Sequence, residues 1–261
     1  MATPPNAARF TPKEQVLTSS QLFSGVSASL VRSFAPACER LILGRGDILW
    51  MPGDFIGHFH LVAFGAVKLQ RLRPDSPVIL GFFLPGESVA DALIISRGAM
   101  PACAVVQSTV AEVLRVPAEL VLAAAKRDAA LAEALHAAVA RQVLWLHTKI
   151  EVVTMGSVAE RLSTFVLRLV ERRGGTGANR VEVPVSPTRV ELASVIEARP
   201  ETVTRALVKL AKDGVFTVTK SGIFVHDLEA LKRIVPHETT DCPASGVDVE
   251  GVDSSPSSHE Y

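Results

Sequence analysis

The side chains best spaced for chemistry lie between Ser186 and Gly222, in the stretch SPTRVELASVIEARPETVTRALVKLAKDGVFTVTKSG. Within PETVTRAL, Glu201, Thr204 and Arg205 fall at i, i+3 and i+4, so on a helix they share one face. An arginine so placed can donate two hydrogen bonds to guanine O6 and N7, and a glutamate can accept one from cytosine N4. Val203, Leu207 and Leu210 form the buried stripe of that helix and leave Glu201, Thr202, Thr204, Arg205, Val208 and Lys209 on its other faces. Pro200 suits the opening turn, where its missing N–H has no partner to lose. A preceding helix buries Leu192, Ala193 and Ile196, and the pair, over 188–197 and 200–212 around Ala198-Arg199, has the dimensions of a helix-turn-helix whose second member reads a major groove. VFTVTKSGIFVHD, residues 215–227, adds two strands around Lys220-Ser221-Gly222, a hairpin that can lay Lys220 beside a phosphate. On spacing alone, a second reading stays open: Glu201 and Arg205 as a surface pair contributing about 0.3 kcal/mol.

The elements that must hold this segment can be read upstream. Ser157 caps the helix SVAERLSTFVLRLVERR, which stops at Gly174-Gly175, and RVEVPV over 180–185 alternates as a strand. With the short helix LEALKRI these make a winged helix-turn-helix domain over 155–235. Residues 128–154 read as one long helix in which Val139, Val143, Leu146, Ile150 and Val153 step by four and three. That is the seam by which two helices bury a common stripe, so a homodimer is expected; the alternative is a helix packed on its own domain. Residues 117–126 form a shorter helix begun by Pro117. From Glu39 to Val116, short apolar stretches alternate with turns at Gly44, Gly46, Gly53, Gly65, Gly81 and Gly86, the texture of a β-sandwich or barrel. Residues 21–37 read as one or two short helices with Ser27 as an N-cap, 1–20 as irregular, and 236–261 as a disordered acidic tail. The fold class expected is α+β, with a jelly-roll barrel domain over 21–127.

Composition sets the outer bounds. The 27 Lys and Arg equal the 27 Asp and Glu, but six of the acids lie after Val235, where there is no Lys or Arg. Residues 157–235 hold 13 bases against nine acids, a surplus suited to phosphate contact and equally common in enzymes. Cys38, Cys103 and Cys242 are far apart with no CxxC spacing, which argues against a disulfide framework or an all-cysteine metal site and favours a reducing, cytoplasmic location. No apolar run is long enough to span a membrane, and the N-terminus lacks the apolar core of a secretory signal.

Taken in order, FSGV, GDILWMPGD, HLVAFGAVKL, LPGES, TRVELA and PETVTRAL resemble the cyclic-AMP receptor/fumarate-nitrate regulator superfamily of bacterial transcription factors, from about Leu22 to Ile234. The resemblance implies a cyclic-nucleotide-binding-type barrel, a dimerisation helix and a winged helix-turn-helix on double-stranded DNA, with RNA polymerase as a further partner. It implies that Glu201, Thr204 and Arg205 read a TGA core in each half-site and that Arg189 contacts phosphate. Pro200 stands where the cyclic-AMP receptor has another base-contacting arginine, so the likeness is closer to the fumarate-nitrate branch.

The same resemblance bears on the effector. Cyclic-nucleotide members hold the ribose with a Gly-Glu pair and the phosphate with an Arg-Ser pair. In PGESVADALIISRGAMPACAVVQ those places hold Ala90-Asp91 and Pro101-Ala102, so the phosphate partner is missing unless Arg97 folds back, and cyclic AMP is disfavoured. The residues expected around an effector are Gly86, Glu87, Asp91 and Ala102. Three scattered cysteines cannot supply the four of an oxygen-sensing iron–sulfur cluster. His58, His60, His136 and His147 are more readily packed or surface residues than haem ligands, and Cys103 more readily core than a redox switch. Two rival classes stay open: a cupin-like metalloenzyme using His58, His60 and Asp54, and a regulatory module that docks on a partner protein without binding DNA.

Overall fold

The computed structural model describes residues 11–73, 77–174 and 179–236. Helix α1 (Lys13–Ser19) corrects the expectation of an irregular N-terminus. Its Val16 and Leu17 are buried, and Lys13 Nζ donates to the Cys38 carbonyl at 2.6 Å. About two turns carry too few apolar residues to print a period, so the helix exists by virtue of its docking. Helix α2 (Ala28–Ser33) follows, with Ser27 Oγ accepting from Leu30 N at 3.4 Å as expected of its cap.

The next segment is all strand and turn: β1 (Glu39–Gly44), β2 (Ile48–Trp50), β3 (His58–Phe64), β4 (Val67–Arg71), β5 (Val78–Phe83) and β6 (Ser88–Val89), then helix α3 (Asp91–Ile95), β7 (Cys103–Val106) and β8 (Val110–Pro117). They form two four-stranded antiparallel sheets in the orders β1-β8-β3-β6 and β2-β7-β4-β5. The expected barrel is thus a jelly roll whose two sheets share a core of Trp50, Phe59, Leu61, Leu69, Ala104 and Leu114 rather than a ring closed by hydrogen bonds. Gly65, with φ +79°, turns β3 into β4 where a Cβ would lie 2.4 Å from the Val110 carbonyl oxygen, so only glycine fits.

Helix α4 (Ala118–Ala125) leads to α5 (Ala129–Thr154), capped by Asp128, whose Oδ1 accepts from Leu131 N at 2.8 Å. At 26 residues α5 is about 39 Å long. Helix α6 (Val158–Arg172) opens with a capping box between Ser157 and Glu160, and Gly174 at φ +75° ends its run; Gly175 lies outside the described residues. Then come β9 (Val181–Val183), α7 (Arg189–Val195), α8 (Pro200–Lys212), β10 (Phe216–Val218), β11 (Ile223–Val225) and α9 (Leu228–Ile234). The small sheet runs β10-β11-β9, and a second core joins Leu162, Val166, Leu192, Ile196, Leu207 and Phe216. Helix α7 stops before the expected residue 197, because Glu197 takes φ +51° and reverses the chain toward α8. Apart from Pro236, the acidic tail expected over 236–261 lies outside the described residues.

Candidate nucleic-acid interface and effector cavity

Helix α8 divides as its sequence period requires. Val203, Leu207 and Leu210 are buried, Glu201, Thr204, Arg205 and Lys209 are exposed, and Thr202 is half-buried. Thr204 Oγ1 donates to the Pro200 carbonyl at 2.9 Å, which fixes its methyl and hydroxyl on the helix front. Among the described residues Glu201 and Arg205 make neither an ion pair nor a side-chain hydrogen bond, so the surface pair is not formed. Both groups are free to meet something else. Arg189 is exposed on the first turn of α7. Lys220 is exposed at the tip of the β10–β11 hairpin, where Thr219 N donates to the Gly222 carbonyl at 2.8 Å and Thr219 Oγ1 accepts from Ser221 N at 3.2 Å. A Cβ on Gly222 would stand 2.5 Å from the Val183 carbonyl oxygen, so the wing packs against β9 only with glycine there.

The helix pair is clamped to the jelly roll by groups that the sequence does not single out. Glu191 Oε1 meets Lys68 Nζ at 2.5 Å, while its Oε2 accepts from Thr188 N at 2.8 Å and from Gln107 Nε2 at 3.1 Å. Burial alone would raise the Glu191 pKa; the hydrogen bonds from Lys68 and Thr188 outweigh it and hold the carboxyl below its ordinary value. Ser194 Oγ accepts from Ile79 N at 2.9 Å, so α7 also rests on β5. A Thr188-x-x-Glu191 capping box starts α7, but nothing local shows that its carboxylate also reaches β4.

Helix α5 has two faces. Leu131, Ala134, Leu135, Ala138 and Val152 are buried against its own chain. The seam expected from the heptad steps points outward: Val143 is 49%, Leu146 49% and Ile150 60% exposed, with Val139 and Val153 half-buried. The reading in which the seam packs on its own domain therefore fails for Val143, Leu146 and Ile150.

Between β5, α3, α5 and α6 lies a cavity of about 380 Å³, with Leu80, Phe82, Phe83, Trp145, Phe165 and Leu169 among its walls. Arg172 closes one side, its Nε and NH2 donating to the two Glu87 carboxylate oxygens at 2.8 and 2.6 Å and NH2 also to the Phe82 carbonyl at 2.9 Å. Of the four residues expected around an effector, Glu87 and Asp91 line this cavity and Gly86 and Ala102 do not. Gly86 faces α1, its carbonyl taking Gln21 N at 2.8 Å, and Ala102 is a core residue whose carbonyl takes Trp50 Nε1 at 3.1 Å. Burial raises the Asp91 pKa to about 6, against the opposing effects of a Ser88 hydrogen bond and the Arg141 charge. Arg97 is exposed and does not line the cavity.

His58 and His60 are engaged in the jelly roll, and His136 and His147 are exposed on α5. His60 is buried against Trp50, with ring centroids 5.0 Å apart, and burial together with the Arg115 charge pushes its pKa down to about 3. His58 Nδ1 lies 3.1 Å from Arg115 NH2, and no group of three or more His, Cys, Asp or Glu among the described residues is arranged to hold a metal. No helix among them is long and apolar enough to cross a membrane.

Residues 160–234 match the profile of a Crp-like helix-turn-helix domain, and residues 40–128 that of a cyclic nucleotide-binding domain. The transcriptional regulatory protein btr of Bordetella pertussis is 26% identical over 203 residues, covering 77% of this chain and 83% of that protein. The CRP-like cAMP-activated global transcriptional regulator of Mycobacterium tuberculosis is 23% identical over 230 residues, covering 84% and 98% respectively. In structure, FixK2 from Bradyrhizobium japonicum superposes with a TM-score of 0.65 at 20% identity, over 77% of this chain and 98% of that one.

Proposed function

The chain belongs to the cyclic-AMP receptor/fumarate-nitrate regulator superfamily of transcription regulators, and on that footing we propose that it binds, as a homodimer, an inverted repeat with TGA-containing half-sites. It is a DNA-binding regulator rather than an enzyme. The observation that carries the finer reading is the row of Glu201, Thr204 and Arg205 on the exposed front of α8, the first and last without any partner among the described residues. Leaving a carboxylate and a guanidinium unpaired side by side gains nothing for the fold, whereas base edges satisfy both. Arg189 and Lys220 flank that row as phosphate contacts, which makes binding salt-dependent.

The apolar stripe of Val143, Leu146 and Ile150 supports pairing with a second copy through α5, which sets two α8 helices about one helical turn of DNA apart. RNA polymerase is the partner through which such a dimer acts, in the cytoplasm. We infer that cyclic AMP, an iron–sulfur cluster and haem are disfavoured as the effector. A cyclic phosphate has no guanidinium to meet at Pro101-Ala102, where Ala102 is buried and its carbonyl already bonded to Trp50. Selecting bound sequences from a random duplex pool, with sedimentation of the free protein, tests the proposal. An inverted TGA repeat bound by a dimer is expected; a monomer, or a pool with no such repeat, ends it. Isothermal titration with cyclic AMP and cyclic GMP should give no heat of specific binding.

A further inference from the structure

Arg141, Trp145 and Lys149 stand at i, i+4 and i+8 on α5, on the side away from the outward seam, and all three line the cavity. Each cation is held by one backbone carbonyl: Arg141 NH2 donates to Gln21 O at 2.8 Å and Lys149 Nζ to Ile79 O at 2.7 Å. Neither is in an ion pair among the described residues. Burial lowers the Lys149 pKa, against the opposing effect of the Glu197 charge. The other charges of the lining are closed on one another. Glu87 is taken by Arg172, and Glu171, with Glu151 behind it, by Arg168. Asp91 accepts from Ser88 and is held toward its neutral form by burial.

An apolar cavity is left with two cations that no carboxylate contacts among the described residues; Asp91 acts on Arg141, and Glu197 on Lys149, through charge but without an ion pair. Cations half out of water without a carboxylate in contact are costly, and an anion that enters and touches them is stabilised on arrival. The remaining walls are aromatic and aliphatic, with Phe83 and Trp145 rings 6.3 Å apart, and the volume falls in the range of about 300–1,000 Å³ found for small-molecule pockets. We propose that this cavity binds an organic monocarboxylate with an aromatic or alkyl body, its carboxylate on Arg141 or Lys149 and its body against Trp145, Phe83 and Leu80. The assignment deepens the regulator reading by naming the chemistry of its signal. Binding itself is measured without DNA.

The test titrates the full chain with 3-phenylpropionate and decanoate, and with the corresponding amides, by calorimetry and by tryptophan fluorescence. The chain has two tryptophans, so Trp50→Phe isolates the cavity signal from Trp145, and calorimetry on the unaltered chain covers the case in which that variant fails to fold. We expect saturable binding of at least one acid, at least about tenfold weaker binding of its amide, and at least about tenfold loss in Arg141→Ala or Lys149→Met. Arg141→Lys, which keeps the charge, should retain most of the affinity. No saturation by either acid below about 1 mM, an amide that binds as well as its acid, or parental affinity in both charge-removing variants would overturn the proposal. The duplex selection decides the regulator reading separately: a chain that takes the acids and ignores every duplex keeps this site and loses that function.

Discussion

The clamp between α7 and the jelly roll can be broken at one atom pair. Lys68 and Glu191 side chains are only 15% and 10% exposed, so the value of about 0–1 kcal/mol usual for surface ion pairs does not apply. Glu191→Gln keeps the shape and one acceptor oxygen but removes the charge facing Lys68 at 2.5 Å. The lost charge-assisted hydrogen bond is worth about 1.5–3 kcal/mol, and stranding the Lys68 ammonium brings the cost to about 3–4 kcal/mol. Lys68→Met in the same background removes the stranded cation and should restore about 2 kcal/mol. Urea unfolding followed by circular dichroism, on both single variants and the double, gives the coupling directly. A coupling under about 0.5 kcal/mol would refute the reasoning, because two desolvated opposite charges in contact cannot be so nearly independent. The pH dependence supplies a control. Since the folded-state pKa of Glu191 is lowered, its contribution is present above the unfolded carboxylate value and disappears as pH falls through the folded one. Glu191→Gln should lose that acid limb.

Three further outcomes follow from particular residues. Arg205→Ala should weaken binding to a selected duplex by about 1–3 kcal/mol and relax the choice of base at one position of each half-site, as read by fluorescence anisotropy and repeated selection. Glu197 sits at φ +51°, so Glu197→Gly should stabilise the chain by about 0.5–1 kcal/mol, seen as a higher midpoint in thermal unfolding. Asp91, with a pKa raised from 3.8 to about 6, is protonated more readily folded than unfolded. Stability should therefore fall as pH rises from about 4 to 6, by on the order of 2–3 kcal/mol, and Asp91→Asn should flatten that slope in urea titrations.

Residues that repeat with a helical or strand period were legible in the sequence. Val203, Leu207 and Leu210 could be set inside, and Glu201, Thr204 and Arg205 outside, because a 3.6-residue period needs no knowledge of what lies across from it. The seam of α5 could be read for the same reason. Contacts made by one residue from each of two distant segments could not. Lys68 looks like any strand lysine and Gln107 like any loop glutamine until the fold brings both to Glu191. Arg172 looks like the basic last turn of a helix, and only the tertiary structure gives it Glu87. The short helix α1 and the turn at Glu197 were missed because each is imposed by its surroundings against a weak local preference. Gly86 and Ala102, expected at the effector by analogy along the chain, do not line the cavity; such analogy fixes an order of residues but not the side of a strand or turn from which each one looks.

At Gly81 the sheet meets the ring of Trp145 from the long helix: a Cβ there would sit 2.2 Å from Trp145 Cζ2. The indole occupies room that exists only because one residue of β5 has no side chain. Even a single methyl at that spot would evict the ring and lever the helix outward from within, a permanent guest encoded in the gene. The packing of α5 against β5 is thus set by the smallest residue in the strand, and a substitution at Gly81 acts on the long helix without touching any residue of α8.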